Sequence, residues 1–217
     1  MSFQFFDHSK DVKAGSHAIL SASKSGWTNA SKKKDDWIFS YINSYYATEI
    51  GTHLHELAKD LIESKIKVTK NEARKMIMLH LLKSGIPRSL IDTDRYVSNF
   101  VAYVNDAIGF DMTPEVVLKY SDNAFGTADA IRFNEKKMHL RIHDYKSGVT
   151  EPHLRQLEVY AAYFCLEYKI KPKDIEMELR IYWQDDIITG LPTASDIVPI
   201  MDTAISLNKY LNSLKGE

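Results

Sequence analysis

Three residues pose the chemical question in this chain: Asp129, Asp144 and Lys146. Asp129 lies inside FGTADAIRF, while Asp144 and Lys146 lie inside MHLRIHDYK, and both segments alternate like strands. Residues two apart in a strand share a face, so Asp144 and Lys146 stand side by side. The adjoining strand brings Asp129 towards them. A carboxylate turned towards a core is costly unless it is paired, hydrogen-bonded or bound to a cation. The set can hold a divalent cation with an ammonium beside it. It can also be a structural ion pair between Lys146 and one carboxylate, which is the commoner meaning of a D-x-K taken alone.

The segment that follows narrows the choice. Gln156 and Tyr160 are four apart in PHLRQLEVYAAYFCLEYKI, which has helical period, so they share a helix face. Gly148 is expected to end the strand tightly enough to fold this helix back over it, with Pro152 in the helix's first turn. Upstream, GTHLHELAKDLIESK carries apolar residues at helical spacing and puts His55 near a helix start. His55-Glu56 does not open a zincin motif, because Lys59 occupies the place of the second histidine. His53 is about 200° round the helix from His55, so the two do not share one ion. His143 points to the sheet face opposite Asp144 and is read as packing, as is His80 in its apolar run.

GTHLH, FGTADAI, HDYKSG and QLEVY resemble the successive motifs of the RecB-like branch of the PD-(D/E)XK nucleases, G-T-x-x-H, G-x-x-D, D-x-K-[TS]-G and Q-x-x-x-Y. The L-S-A-S of residues 20–23 is similar to the opening element of that branch, especially in phage-encoded members. The likeness runs from about residue 20 to residue 183, with the motifs in order. It implies a metal-dependent nuclease with Mg2+ or Mn2+ as cofactor. His55, Asp129, Asp144 and the backbone carbonyl of Tyr145 would be the metal ligands. Glu115 is a further candidate ligand, weighed against a surface glutamate on an edge strand. Lys146 would orient or deprotonate the attacking water and offset transition-state charge, while Gln156 and Tyr160 would hold the strand near the scissile phosphate or fix Lys146.

The implied fold is α/β, with a restriction-endonuclease-like core: a central mixed four-stranded sheet flanked by helices. A single nuclease domain over residues 1–217 would hold a helical elaboration at about 16–110 and the sheet and catalytic core at about 111–217. The expected activity is hydrolysis of DNA phosphodiester bonds, as an exonuclease in phage or mobile-element DNA recombination, repair or processing. A structure- or sequence-specific endonuclease and a catalytically silent nucleic-acid- or protein-binding module of the same fold are the alternatives. The implied partner is DNA, as a single strand or a duplex end. A recombinase, single-strand-binding protein, helicase or second copy of the chain could join it. Relatives with an iron-sulfur cluster need four cysteines; this chain has only Cys165, so no cluster is expected, and the cysteine is read as a buried helix residue.

Composition sets the outer bounds. The 217 residues are 44% hydrophobic, enough for a sizeable core, and the net charge of -1 argues against a protein that coats nucleic acid with basic surface. No run of about eighteen apolar residues occurs, so the expectation is a soluble cytoplasmic protein, in the host cytoplasm if phage-encoded. Lys32, Lys33 and Lys34, and farther on Lys65, Lys67, Lys70, Arg74 and Lys75, are either solvated charge or phosphate contacts. Phe3, Phe5 and Phe6 near the start are given no function. Helices are expected over SKKKDDWIFSYINSYYAT, with Trp37, Tyr41, Ile42 and Tyr45 on one face, NEARKMIMLHLLKSG, DRYVSNFVAYVNDAIG and the closing SDIVPIMDTAISLNKYLNSLK. Strands are expected at TPEVVLKYS, FGTADAIRF, MHLRIHDYK and IEMELRIYWQ, with residues 134–137 turning the second into the third.

Overall fold

The computed structural model describes residues 35–215, and contacts divide the chain into two units, Met1–Thr48 and Glu49–Glu217. The expectations placed on Phe3, Phe5 and Phe6, on residues 20–23, on Lys32, Lys33 and Lys34 and on the side chain of Trp37 lie outside the described residues. Helix α1, Asp35–Glu63, supplies the described part of the first unit and enters the second. His55 therefore sits well inside a helix rather than near its start. A lone Gly51 costs a helix only about 1 kcal/mol, too little to break it.

Helix α2, Lys70–Lys83, opens with a reciprocal capping box between Thr69 and Glu72. It closes where Gly85 takes a left-handed φ of +82° and the Ile86 N–H reaches back to the Leu81 carbonyl. Helix α3, Thr93–Gly109, is strongly amphipathic and buries Tyr96, Val97, Phe100, Tyr103, Val104 and Ala107. Strands β1, Thr113–Ser121, β2, Ala124–Asn134, and β3, His139–Lys146, form the expected meander. Helix α4, Arg155–Glu167, then carries the chain to β4, Glu176–Trp183, which runs parallel to β3 as such a crossover requires. Pro152 lies ahead of this helix, not in its first turn. Gly148 has neither a left-handed φ nor close neighbours, and the turn it was expected to enforce is held instead by the Trp183 Nε1–H donating to its carbonyl at 2.9 Å.

The sheet has five strands rather than four, in the order β1-β2-β3-β4-β5. The added β5, Asp186–Gly190, returns antiparallel to β4, with Trp183 opposite Asp186. Its two-residue turn is Gln184-Asp185, and Gln184 takes the positive φ of 52° that such turns favour. Gln-Asp is not among the pairs that advertise a hairpin, so the strand was not legible. Helix α5, Ala194–Lys215, closes the chain.

The result is a mixed α/β unit whose sheet is flanked by helices. Leu140, Ile142, Leu157, Ala161, Phe164, Cys165, Ile181 and Ile197 join β3, β4, α4 and α5 in one core. Each fully buried aliphatic side chain there contributes roughly 1.5–3 kcal/mol. Arg141, His143 and Tyr145 alternate with this set along β3; Phe100, Tyr103 and Phe110 of the α3 segment meet Tyr145 and His143. No helix among the described residues is long and apolar enough to cross a membrane.

Candidate metal centre

The sheet is irregular where the acidic residues lie. Pairing between β2 and β3 runs from Asn134 opposite His139 to Ala130 opposite His143 and goes no further. Just past that point the Asp129 carboxylate takes the place of a strand partner, accepting the Tyr145 N–H at 3.0 Å. On the other side of β2, Glu115 has a left-handed φ of 52° and interrupts the bridges between Pro114–Ala130 and Val116–Ala128. Ala128 and Ile131, three apart, contribute to the same core, so the pleat changes phase at Asp129. A left-handed φ on a glutamate is unfavourable and persists only where its surroundings hold it.

The irregularity aims carboxylates at α1. A donor nitrogen of His55 and carboxylate oxygens of Glu115 and Asp129 lie within 4.8 Å of one another, and His55 Nδ1 is 3.3 Å from Asp129 Oδ2. The three line one wall of a cleft of about 540 Å3 that also takes in Gly51, Glu56 and Lys59. Burial lowers the pKa of His55, against the pull of Asp144 and Glu115, and leaves the imidazole neutral, the form that ligates metal. Gly51 lets α1 approach: a Cβ there would stand 3.2 Å from Ser147 Oγ, just beyond β3.

Asp144 is the neighbouring carboxylate, almost wholly buried, with Oδ2 lacking a hydrogen-bond partner among the described residues and Oδ1 accepting from Lys146 Nζ at 3.0 Å. It stands outside the three-residue donor group and does not line the cleft. Burial and then repulsion from Asp129 push its pKa up to about 7, and burial pushes Asp129 to about 6 although the Tyr145 N–H and Lys146 oppose it. Burial works to lower the Lys146 pKa but is outweighed by Asp144 and Asp129, so the side chain stays an ammonium. Lys146 Nζ also donates to Gln156 Oε1 at 3.2 Å, and Gln156 Nε2 donates to the Tyr160 hydroxyl at 2.9 Å. The four polar side chains form one chain, Asp144, Lys146, Gln156, Tyr160. The ring of Tyr160 lies over Gly126, where a Cβ would meet Cε1 at 2.8 Å. The glycines of GTHLH and FGTAD are thus close-approach positions.

Every sequence-derived site residue is gathered in this region. Glu115 lies beside His55 and Asp129 with a left-handed φ, unlike an ordinary edge-strand residue. The Tyr145 N–H donates to Asp129, and its ring meets the His55 imidazole edge-on at 5.7 Å. His143 is buried on the opposite face against Tyr182, as strand alternation required, and burial holds its pKa down to about 3. Cys165 is buried in α4.

Residues 17–177 match a protein family described as "Protein of unknown function (DUF2800)". The chain belongs to this family. No curated protein and no solved structure matches it. The DUF2800 match takes in His55, Glu115, Asp129, Asp144, Lys146, Gln156 and Tyr160, and stops inside β4, short of β5 and α5.

Arg95 and Lys59 were missed from sequence. Arg95, at the start of α3, donates to the Ser147 carbonyl at 3.0 Å beside the D-x-K, and no motif signals it. Of the basic residues considered for phosphate contacts, Arg74 pairs with Asp94 at 2.6 Å, Lys65 with Asp111 at 3.5 Å, and Lys70 donates to Ser98 at 3.0 Å. All three of these contacts are on exposed side chains.

Proposed function

We propose that this protein is a metal-dependent nuclease with a PD-(D/E)XK-type core that hydrolyses DNA phosphodiester bonds, acting as an exonuclease in phage or mobile-element DNA processing. The observation that carries the reading is the joint placement of Asp129, Asp144 and Lys146 where β2 and β3 part, with His55 and Glu115 closing the other side. Two carboxylates whose pKa values are raised, one with an unpartnered buried oxygen, form a set that a cation would satisfy. Carboxylates with a single neutral imidazole suit Mg2+ or Mn2+. His55, Asp129 and Glu115 would hold the ion, with Asp144 and the Tyr145 carbonyl adjoining. Bound there, a divalent cation supplies activation of water and neutralisation of phosphoryl charge.

The chain's own groups account for the rest. Lys146, kept as an ammonium by Asp144, donates hydrogen bonds and stabilises charge growing on the phosphoryl oxygens, rather than acting as the base. Gln156 fixes the ammonium through its side-chain oxygen and is itself fixed by Tyr160. Lys59 on the cleft wall is placed to meet a backbone phosphate. The oxygen of water forms a bond to phosphorus and gives up a proton to bulk solvent as the bond to the leaving sugar oxygen breaks, and that oxygen takes up a proton from solvent.

The test is incubation of the purified chain with end-labelled single- and double-stranded DNA, linear and closed circular, in Mg2+, Mn2+ or Ca2+. Cleavage restricted to linear DNA and lost in Asp144→Ala and Lys146→Ala, with both variants folded, is the expected result. Cutting of closed circles would replace the exonuclease with an endonuclease. No cleavage by the folded protein in any of the metals would overturn the enzyme, leaving the binding module.

A further inference from the structure

On the other side of α1 from His55 lies a second group of metal-ligating side chains. His53 and Glu56 are three apart on α1, and His80 comes from the last turn of α2. Their donor atoms lie within 4.8 Å of one another. His53 Nδ1 and Glu56 Oε2 are 2.8 Å apart, His80 Nε2 and the same Glu56 oxygen 3.9 Å apart, and the two imidazole rings meet edge to face with centroids at 5.8 Å.

Packing alone does not account for His80. Its Nε2 is shielded from solvent yet has no hydrogen-bond partner among the described residues, and the Glu56 carboxylate oxygen at 3.9 Å is too distant to be one. A shielded nitrogen in that condition costs roughly 1–3 kcal/mol. Two donors that share one Zn2+ each sit about 2.0–2.1 Å from it and so stand no more than about 4 Å apart. The Glu56 to His80 separation already meets that limit, and Glu56 is exposed enough to turn its carboxylate into place.

We propose that His53, Glu56 and His80 form a second metal site, for a borderline transition ion of the Zn2+ type, that ties α1 to α2. Two imidazoles and one carboxylate select such an ion over Mg2+, which prefers oxygen ligands. With three protein ligands, a fourth position is left for water. The donor set is separate from the one assigned to the nuclease centre, because His53 and His55 leave α1 in different directions. Glu56 borders both, lining the cleft while it contacts His53. The inference does not rest on nuclease activity.

The test is metal binding by the full chain in a His55→Ala, Asp129→Asn background, where the nuclease centre is disabled. Metal-stripped protein is titrated with Co2+, read by its visible absorption, and then with Zn2+ against a chromophoric chelator. One equivalent per chain is expected, with no competition from Mg2+. Adding His53→Ala or His80→Ala should weaken binding roughly 100-fold or more, since even the loss of an outer partner of a metal ligand costs about 10–100-fold. The Zn2+-dependent rise in thermal midpoint should vanish with it. Should the background fail to fold, the same substitutions in the native chain are expected to remove one equivalent from the total. No bound equivalent, or one that persists without His53 and His80, would overturn the proposal.

Discussion

Replacing Asp144 by Asn isolates the electrostatic cost of the proposed nuclease centre. Burial and the neighbouring Asp129 push the folded pKa of Asp144 from the ordinary 3.8 to about 7. A folded pKa above the unfolded one gives stability that is fully present below about pH 4 and lost as the pH rises through about 7. At about 1.4 kcal/mol per unit, the loss reaches ~4 kcal/mol well above pH 7. The amide cannot ionise and escapes it. The folded pKa already includes the hydrogen bond from the Lys146 ammonium at 3.0 Å, so the gain of the amide well above pH 7 is of that same size, ~4 kcal/mol. Urea unfolding of chelator-treated wild type and Asp144→Asn at pH 5 and pH 8 measures this. At pH 5 the variant should lead by only about 1–2 kcal/mol, and at pH 8 by ~4 kcal/mol. Mn2+ at pH 8 should narrow the difference, because only the wild type keeps a carboxylate adjoining the proposed ion. A variant that is weaker than wild type by the same margin at both pH values would refute the reasoning, since Asp144 would then be a satisfied ion-pair partner rather than a carboxylate awaiting a cation.

Gly126→Ala would place a Cβ 2.8 Å from Tyr160 Cε1, so the ring must move and its hydrogen bond from Gln156 must stretch. A loss of roughly 1–3 kcal/mol in thermal unfolding is expected, with slower cleavage at unchanged metal affinity; unaltered rates would detach Tyr160 from the site. His55→Ala should raise the Mn2+ concentration needed for half-maximal cleavage by about tenfold or more, and an unchanged titration would return His55 to a packing role. Tyr145→Phe removes a buried hydroxyl that has no hydrogen-bond partner, so stability should change by less than about 1 kcal/mol or rise; a loss of several kcal/mol on heating would contradict that.

The residues of the site were legible because they are spaced by local rules. Asp144 and Lys146 share a face through the period of a strand, and Gln156 and Tyr160 through the period of a helix. The unread features are set by tertiary approach. Nothing in TPEVVLKYS announces that Glu115 will take a left-handed φ, because the backbone is held there across the sheet from Asp129. His80 reads as packing within MIMLHLLK because its proximity to Glu56 depends on how α2 lies against α1. The fifth strand escaped for a local reason, its turn being Gln-Asp, and α1 was split at Gly51 because a glycine signals a break more readily than a close contact with Ser147.

The middle residue of the D-x-K explains how the outer two are held. Strand alternation sends Tyr145 to the face opposite Asp144 and Lys146, where it is fully buried. Its ring stacks on Tyr103 at 5.8 Å, and Phe100 and His55 meet it edge-on at 5.9 and 5.7 Å. Its N–H is held by Asp129. The peptide units that carry Asp144 and Lys146 are thus pinned from behind by α3 and from the side by β2, beyond the point where β2 and β3 cease to pair. On its other edge β3 stays paired to β4, with Asp144 opposite Ile181 and Lys146 opposite Trp183, so the strand is held to its end. Sheet pairing and the aromatic anchor together fix the Asp129 and Asp144 positions against their mutual repulsion, an arrangement on which the proposed metal centre would rest. The same ring touches His55, so the imidazole on α1 and the carboxylates on the sheet are referenced to a single side chain.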